Sequence, residues 1–69
     1  MAITLAVDAM GGDFGPRVTV PATLAILKKS PQLFVVFVGQ ESQIQPHLKN
    51  LSTDLSARIT IVHTDEMVT

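Results

Sequence analysis

Short apolar runs alternate with amphipathic stretches along this chain. Residues 3–7 are apolar except for Thr4, and residues 33–38 carry no polar side chain at all. Runs of this length, rich in β-branched and aromatic residues, predict strands. A strand with no polar face is expected to be covered by helices on both sides, and this holds most strongly for 33–38. Residues 58–63 form a third run, in which Ile59, Ile61 and Val62 alternate only in part with Thr60, so a less deeply covered strand is expected there.

Between the first two strands, Val20, Leu24 and Leu27 fall at helical spacing with Ala22, Ala25 and Ile26 beside them, which predicts a helix over 16–29. Pro16 suits its first turn, and Lys28 and Lys29 suit its C-terminal end. Pro21 removes a backbone donor inside this stretch, so a kinked or two-part helix is expected, its regular part starting near Pro21. Ser42 followed by Gln45 has the spacing of a capping box and predicts a second helix, with Ile44, Leu48 and Leu51 as its buried stripe. Pro46 is tolerable in the first turn of that helix. Residues 50–54 predict a polar turn, and the last six residues a loop. The order β-α-β-α-β implies an α/β fold, a Rossmann-like parallel sheet in three layers joined by right-handed crossovers, of which this chain would be an incomplete half.

The first strand ends at Asp8 and runs straight into a glycine-rich loop, Ala9-Met10-Gly11-Gly12-Asp13-Phe14-Gly15, before Pro16 opens the helix. Open α/β sheets bind ligands at this carboxyl rim, and a helix N-terminus favours anions. Asp8, Met10, Gly11, Gly12, Asp13 and Gly15 are therefore the candidate binding residues. A carboxylate beside a bound phosphate is repelled by it, so support suits Asp8 and Asp13 better than catalysis. Asp8 would accept loop N–H groups, and Asp13 would cap the following helix. The same glycines also suit a tight turn that binds nothing. Against a dinucleotide fingerprint, Gly12 and Gly15 match the second and third glycines, but Met10 stands where the first is needed, and only Glu41 is available as the later acidic residue.

Composition narrows the field. A chain of 69 residues, 46% apolar and 16% charged with a net charge of −1, has the makings of a core and offers no electrostatic footprint for nucleic acid. Domains of this size bury only about 60% of their unfolded surface, so marginal stability is expected. With no cysteine and two histidines lacking helical ligand spacing, a metal site is not indicated. His47 is expected at the surface, and His63, at the same rim as Asp8, either to point into the crevice or, the favoured reading, simply to finish the third strand. Phe14, Phe34 and Phe37 are too dispersed for a base-stacking platform and are expected to pack. The longest apolar run, 33–38, is far below the roughly 20 residues that span a bilayer, and the first basic residue is Arg17, so a cytoplasmic protein is expected.

Asp8-Ala9-Met10-Gly11-Gly12-Asp13, followed by Gly15-Pro16 and Val18-Thr19-Val20, closely resembles the opening of the bacterial fatty acid/phospholipid synthesis protein PlsX family, the acyl-acyl carrier protein:phosphate acyltransferases. The similarity extends through residues 33–39 and 59–66. Members of that family are several times longer, so the resemblance implies that residues 1–69 are the N-terminal β-α-β-α-β part of a larger α/β domain. It further implies an enzyme that makes acyl phosphate from acyl-acyl carrier protein and inorganic phosphate in phospholipid synthesis, without a cofactor. A homodimer with peripheral membrane association is implied for the full-length enzyme. The resemblance places no catalytic base and no phosphate-clamping Lys or Arg in this stretch, which alone would be inactive. Two alternatives remain from the residues themselves: part of a nicotinamide-dependent oxidoreductase, and a non-catalytic α/β module that pairs its open edge with another chain.

Overall fold

The computed structural model describes residues 2–11 and 15–65. Strand β1 (Ile3–Asp8) leads through the glycine loop to helix α1 (Pro16–Lys29), then to β2 (Leu33–Gly39). A short helix α2 (Glu41–Ile44), a 3₁₀ segment (Gln45–Leu48) and a third helix α3 (Thr53–Ala57) precede β3 (Ile59–His63). The three strands form one parallel sheet in the order β1-β2-β3.

Strand order explains where the core sits. When each parallel strand is added beside the last, right-handed crossovers deliver every helix to the same face. Helix α1 accordingly packs on β2 and on the α2 and 3₁₀ segments, and α3 packs on β3. Register places Val35 beside Leu5 and Ile59, and Phe37 beside Val7 and Ile61, on one face. Val35 and Phe37 are buried there with Val20, Leu27, Ile44 and Leu55. Burying a side chain of this size contributes about 1.5–3 kcal/mol relative to leaving it in water.

The opposite face carries Thr4, Ala6, Phe34, Val36, Val38 and Val62, and among the described residues no helix covers it. Phe34 is 40% exposed and Val62 48%. On the helix face the cover also stops short of the outer strand, leaving Ile3 58% and Leu5 42% exposed. The expectation that β1 and β2 are covered on both sides is therefore corrected: a single helix layer covers this sheet. β3 is less buried than β2, as expected.

Local chemistry accounts for the other departures. α1 is one helix rather than two pieces, with Pro21 exposed in its second turn. Its buried side is narrower than the apolar pattern suggested: Pro16, Val20, Thr23 and Leu27 face inward, whereas Ala22, Ala25 and Ile26 are exposed. Thr23 is tolerated in the core because its hydroxyl donates to the Thr19 carbonyl at 2.8 Å.

Ser42 does not cap the second helix. That helix begins two residues earlier, after Gln40, whose carbonyl accepts from the N–H groups of Gln43 and Ile44. The missing N–H of Pro46 ends α-type bonding, and the chain tightens into a 3₁₀ turn. Ile44 is fully buried and Leu48 and Leu51 pack beside it, as the stripe predicted. The expected polar turn at 50–54 is in part α3: the Ser52 hydroxyl accepts from the Leu55 N–H at 3.3 Å and starts this helix.

Candidate functional site

At the carboxyl rim, β1 hands over to the loop under close backbone control. The Ala9 N–H continues the ladder by donating to the Val38 carbonyl at 3.0 Å, and Ala9 is fully buried. The Met10 N–H donates to Asp8 Oδ1 at 3.1 Å, and the Gly11 N–H to the Asp8 carbonyl at 3.2 Å. Asp8 thus holds the start of the loop through its side chain and its backbone, the supporting role expected of it. Met10 and Gly11 are half-buried, and Asp8 is exposed.

Gly15 ends the loop as the N-cap of α1, with φ 63° and ψ −149°. This region is open essentially to glycine alone, so the turn itself requires this glycine whatever binds nearby. The Gly15 carbonyl accepts from the N–H groups of Val18 and Thr19, and Pro16 has no N–H. The first turn of α1 therefore contributes less to an anion than its position alone suggests. The N–H groups of Ala9, Met10 and Gly11 are engaged as well. Of the candidate residues, Gly12 and Asp13 lie outside the described residues, as does Phe14. The cap position that Asp13 was expected to serve belongs to Gly15.

Two further residues close the rim. His63, opposite Gly39 in the ladder, accepts from the Glu41 N–H at Nδ1, 3.1 Å away. Its Nε2 lies 3.0 Å from Asp65 Oδ1. An imidazole that accepts at Nδ1 carries its hydrogen on Nε2, which then donates to Asp65. His63 does more than finish a strand: it satisfies the first donor of α2. His47 is half-buried rather than fully at the surface. The Thr64 N–H donates to the Gly39 carbonyl at 2.9 Å, so the exits of β2 and β3 are tied together.

At the opposite, amino end of the sheet stands Arg58, which the sequence marked only as the first residue of the third strand and which lies just before β3. Its guanidinium is buried and donates through Nη1 to the carbonyls of Ser30 (2.8 Å) and Leu33 (3.1 Å). Through Nη2 it reaches the Leu27 carbonyl at 3.1 Å and Asp54 Oδ2 at 3.4 Å. One side chain thereby bonds the Leu27 carbonyl in the last turn of α1 and the Ser30 carbonyl just past it, and ties α1, β2 and α3 together. A recess of about 450 Å³ between the 3₁₀ segment and β3, lined by Leu48, Leu51, Ile59 and Ile61 among others, includes no described residue of the glycine loop.

A parallel sheet with helices between its strands, its first strand ending in a carboxylate-anchored glycine loop, places the chain among α/β proteins of Rossmann-like build. Comparison with known sequences places the chain more narrowly: it belongs to the fatty acid synthesis protein family, whose profile matches residues 3–69. It is 61% identical over 66 residues to a phosphate acyltransferase of Shewanella loihica, a match covering 96% of the chain and 19% of that protein. A phosphate acyltransferase of Shewanella amazonensis is 54% identical over the same coverage. One from Vibrio parahaemolyticus is 49% identical over 97% of the chain and 20% of its own length. The chain thus spans about a fifth of the length of the curated relatives it matches. The family resemblance read from the residues around the loop is borne out.

Proposed function

We propose that residues 1–69 are the N-terminal part of a larger α/β domain of a phosphate acyltransferase, and that the loop over residues 8–15 binds an anionic oxygen cluster of its substrates. The observation that carries this reading is the family match along the whole loop and sheet, joined to an Asp8-anchored glycine loop at the carboxyl rim. The bare sheet face supports it as well. Phe34, Val36, Val38 and Val62 form an apolar surface of the kind a second helix layer covers, and relatives about five times longer have the chain to supply one.

In the reaction proposed, an oxygen of inorganic phosphate attacks the thioester carbonyl of acyl-acyl carrier protein. The C–O bond forms, the C–S bond breaks, and the carrier leaves as its thiol with the proton that phosphate gives up. Phosphate must be held, partly stripped of water and aimed, and fixed backbone N–H groups do this without reorganising during the step. The N–H groups of residues 12–15 are assigned that work. Asp8 shapes the loop and stays off the reacting atoms, since a second carboxylate against phosphate opposes binding.

No helix among the described residues is long and apolar enough to cross a membrane. The test is a graft: the chain replaces the matching segment of the Shewanella loihica phosphate acyltransferase, and acyl phosphate formation is followed. The graft is expected to turn over, and the 69-residue chain alone to give no product above a protein-free blank. An inactive but folded graft contradicts the reading.

A further inference from the structure

His63 joins separate segments at the carboxyl rim. Its Nδ1 accepts from the Glu41 N–H at 3.1 Å, its Nε2 lies 3.0 Å from Asp65 Oδ1, and the next residue, Thr64, donates its N–H to the Gly39 carbonyl. Gln40, the residue before α2, gives that helix no side-chain cap, so its first donor rests on an imidazole carried by β3. The turn held in this way lies against the start of the glycine loop: a β-carbon on Gly39 would stand 2.7 Å from Met10 Cγ and 3.3 Å from Ile44 Cδ1. Ile44 ends α2 and is fully buried.

The two ring nitrogens do different work. Nδ1 accepts from a backbone N–H only while it carries no hydrogen, and Nε2 must then carry one and donate it to Asp65. A second proton, taken from water, goes to Nδ1 and turns it from acceptor to donor. Two N–H groups would then face each other, so the bond to Glu41 is lost, whereas the bond to Asp65 remains and becomes an ion pair. Among the described residues, the charged side chains on the segments that meet His63 are Asp65 and Glu41, whose carboxylate accepts from Gln45 Nε2 at 3.0 Å. From β2 it meets the Gly39 backbone.

We propose that His63 is a proton-operated latch on α2. Neutral, it ties the first N–H of α2 to the exit of β3; protonated, it releases α2 and keeps Asp65. Imidazoles as a class change charge between about pH 5 and 8, which sets the range to search.

The test is hydrogen exchange, read by mass spectrometry on the graft described above, at about pH 8 and about pH 5, each rate taken relative to an unstructured peptide at the same pH. Protection over residues 41–44 is expected to fall about fivefold at the lower pH, as suits the loss of one hydrogen bond, while residues 27–33 at the other end of the sheet keep theirs. His63→Ala should show the lower protection at both pH values. His63→Asn should show the higher protection at both, because its Oδ1 stands as far from the backbone as Nδ1 and accepts whatever the pH.

Equal protection of residues 41–44 at the two pH values in the unsubstituted graft overturns the inference. So does a fall that persists in His63→Asn, or one that residues 27–33 share, since either would mean that something other than this imidazole loosens the helix. Should His63→Ala fail to fold, the unsubstituted graft and His63→Asn decide by themselves. The latch does not depend on what the glycine loop binds: a graft that folds without turning over contradicts the functional reading and still carries this test.

Discussion

The two ends of this sheet are built on opposite plans. At the amino end a single buried guanidinium ties Leu27, Ser30 and Leu33 carbonyls and the Asp54 carboxylate into one knot. At the carboxyl end the same sheet opens into glycines, held by one carboxylate, one methionine and one histidine. A buried guanidinium bonded through both Nη atoms to three carbonyls resists change and does no chemistry. In the loop the first three N–H groups are engaged by Val38 and Asp8, and the hold on the chain is by single contacts rather than by a knot. The difference separates stability from function along the strand direction, as expected where ligands gather at carboxyl rims.

Breaking the amino-end knot is the most severe test of this division. Arg58→Ala should cost about 3 kcal/mol, since it removes charged donors from several buried carbonyls at once. For a chain this small that is enough to unfold it, and circular dichroism of the 69-residue chain should show the loss at 25 °C. In the graft, whatever fraction folds should keep its phosphate constant. A changed constant would mean that the two ends are coupled.

Gly15→Ala is expected to cost less, about 1–3 kcal/mol, because it forces a β-carbon into a conformation reserved for glycine although nothing stands within 4 Å of it. Urea unfolding measures this. A neutral effect would mean that the loop relaxes to another turn.

The smallest effect belongs to His63→Ala, which uncaps α2 at an exposed position. The cost should be about 0.5–1 kcal/mol, with faster hydrogen exchange at the Glu41 amide as its local sign.

How much of this was legible in the sequence follows from what each residue records. The order of strands and helices was legible because apolar runs and helical stripes report burial directly, and the end of β1 was legible because Asp8 interrupts such a run. The bare face was not legible. Phe34, Val36 and Val38 have the composition of a strand covered twice, and composition does not record which of its faces a helix reaches. α3 was missed because five residues carry no periodicity, although Ser52 ahead of Leu55 is a cap signal that would have found it. Arg58 was missed because its partners are carbonyls, which every residue has and no sequence marks. Gly39 carries no mark of its neighbours in the sequence, and only the position of Met10 shows what its missing side chain makes room for.

The account stands on the claim that residues 8–15 hold phosphate. The direct measurement is phosphate binding, by isothermal titration, to the graft and to its Gly12→Val form, with circular dichroism confirming that both are folded. A branched side chain where the backbone must approach an anion should abolish detectable binding, while affinity for acyl carrier protein changes little. Equal phosphate affinity in the two proteins would contradict the claim and leave the loop as a turn.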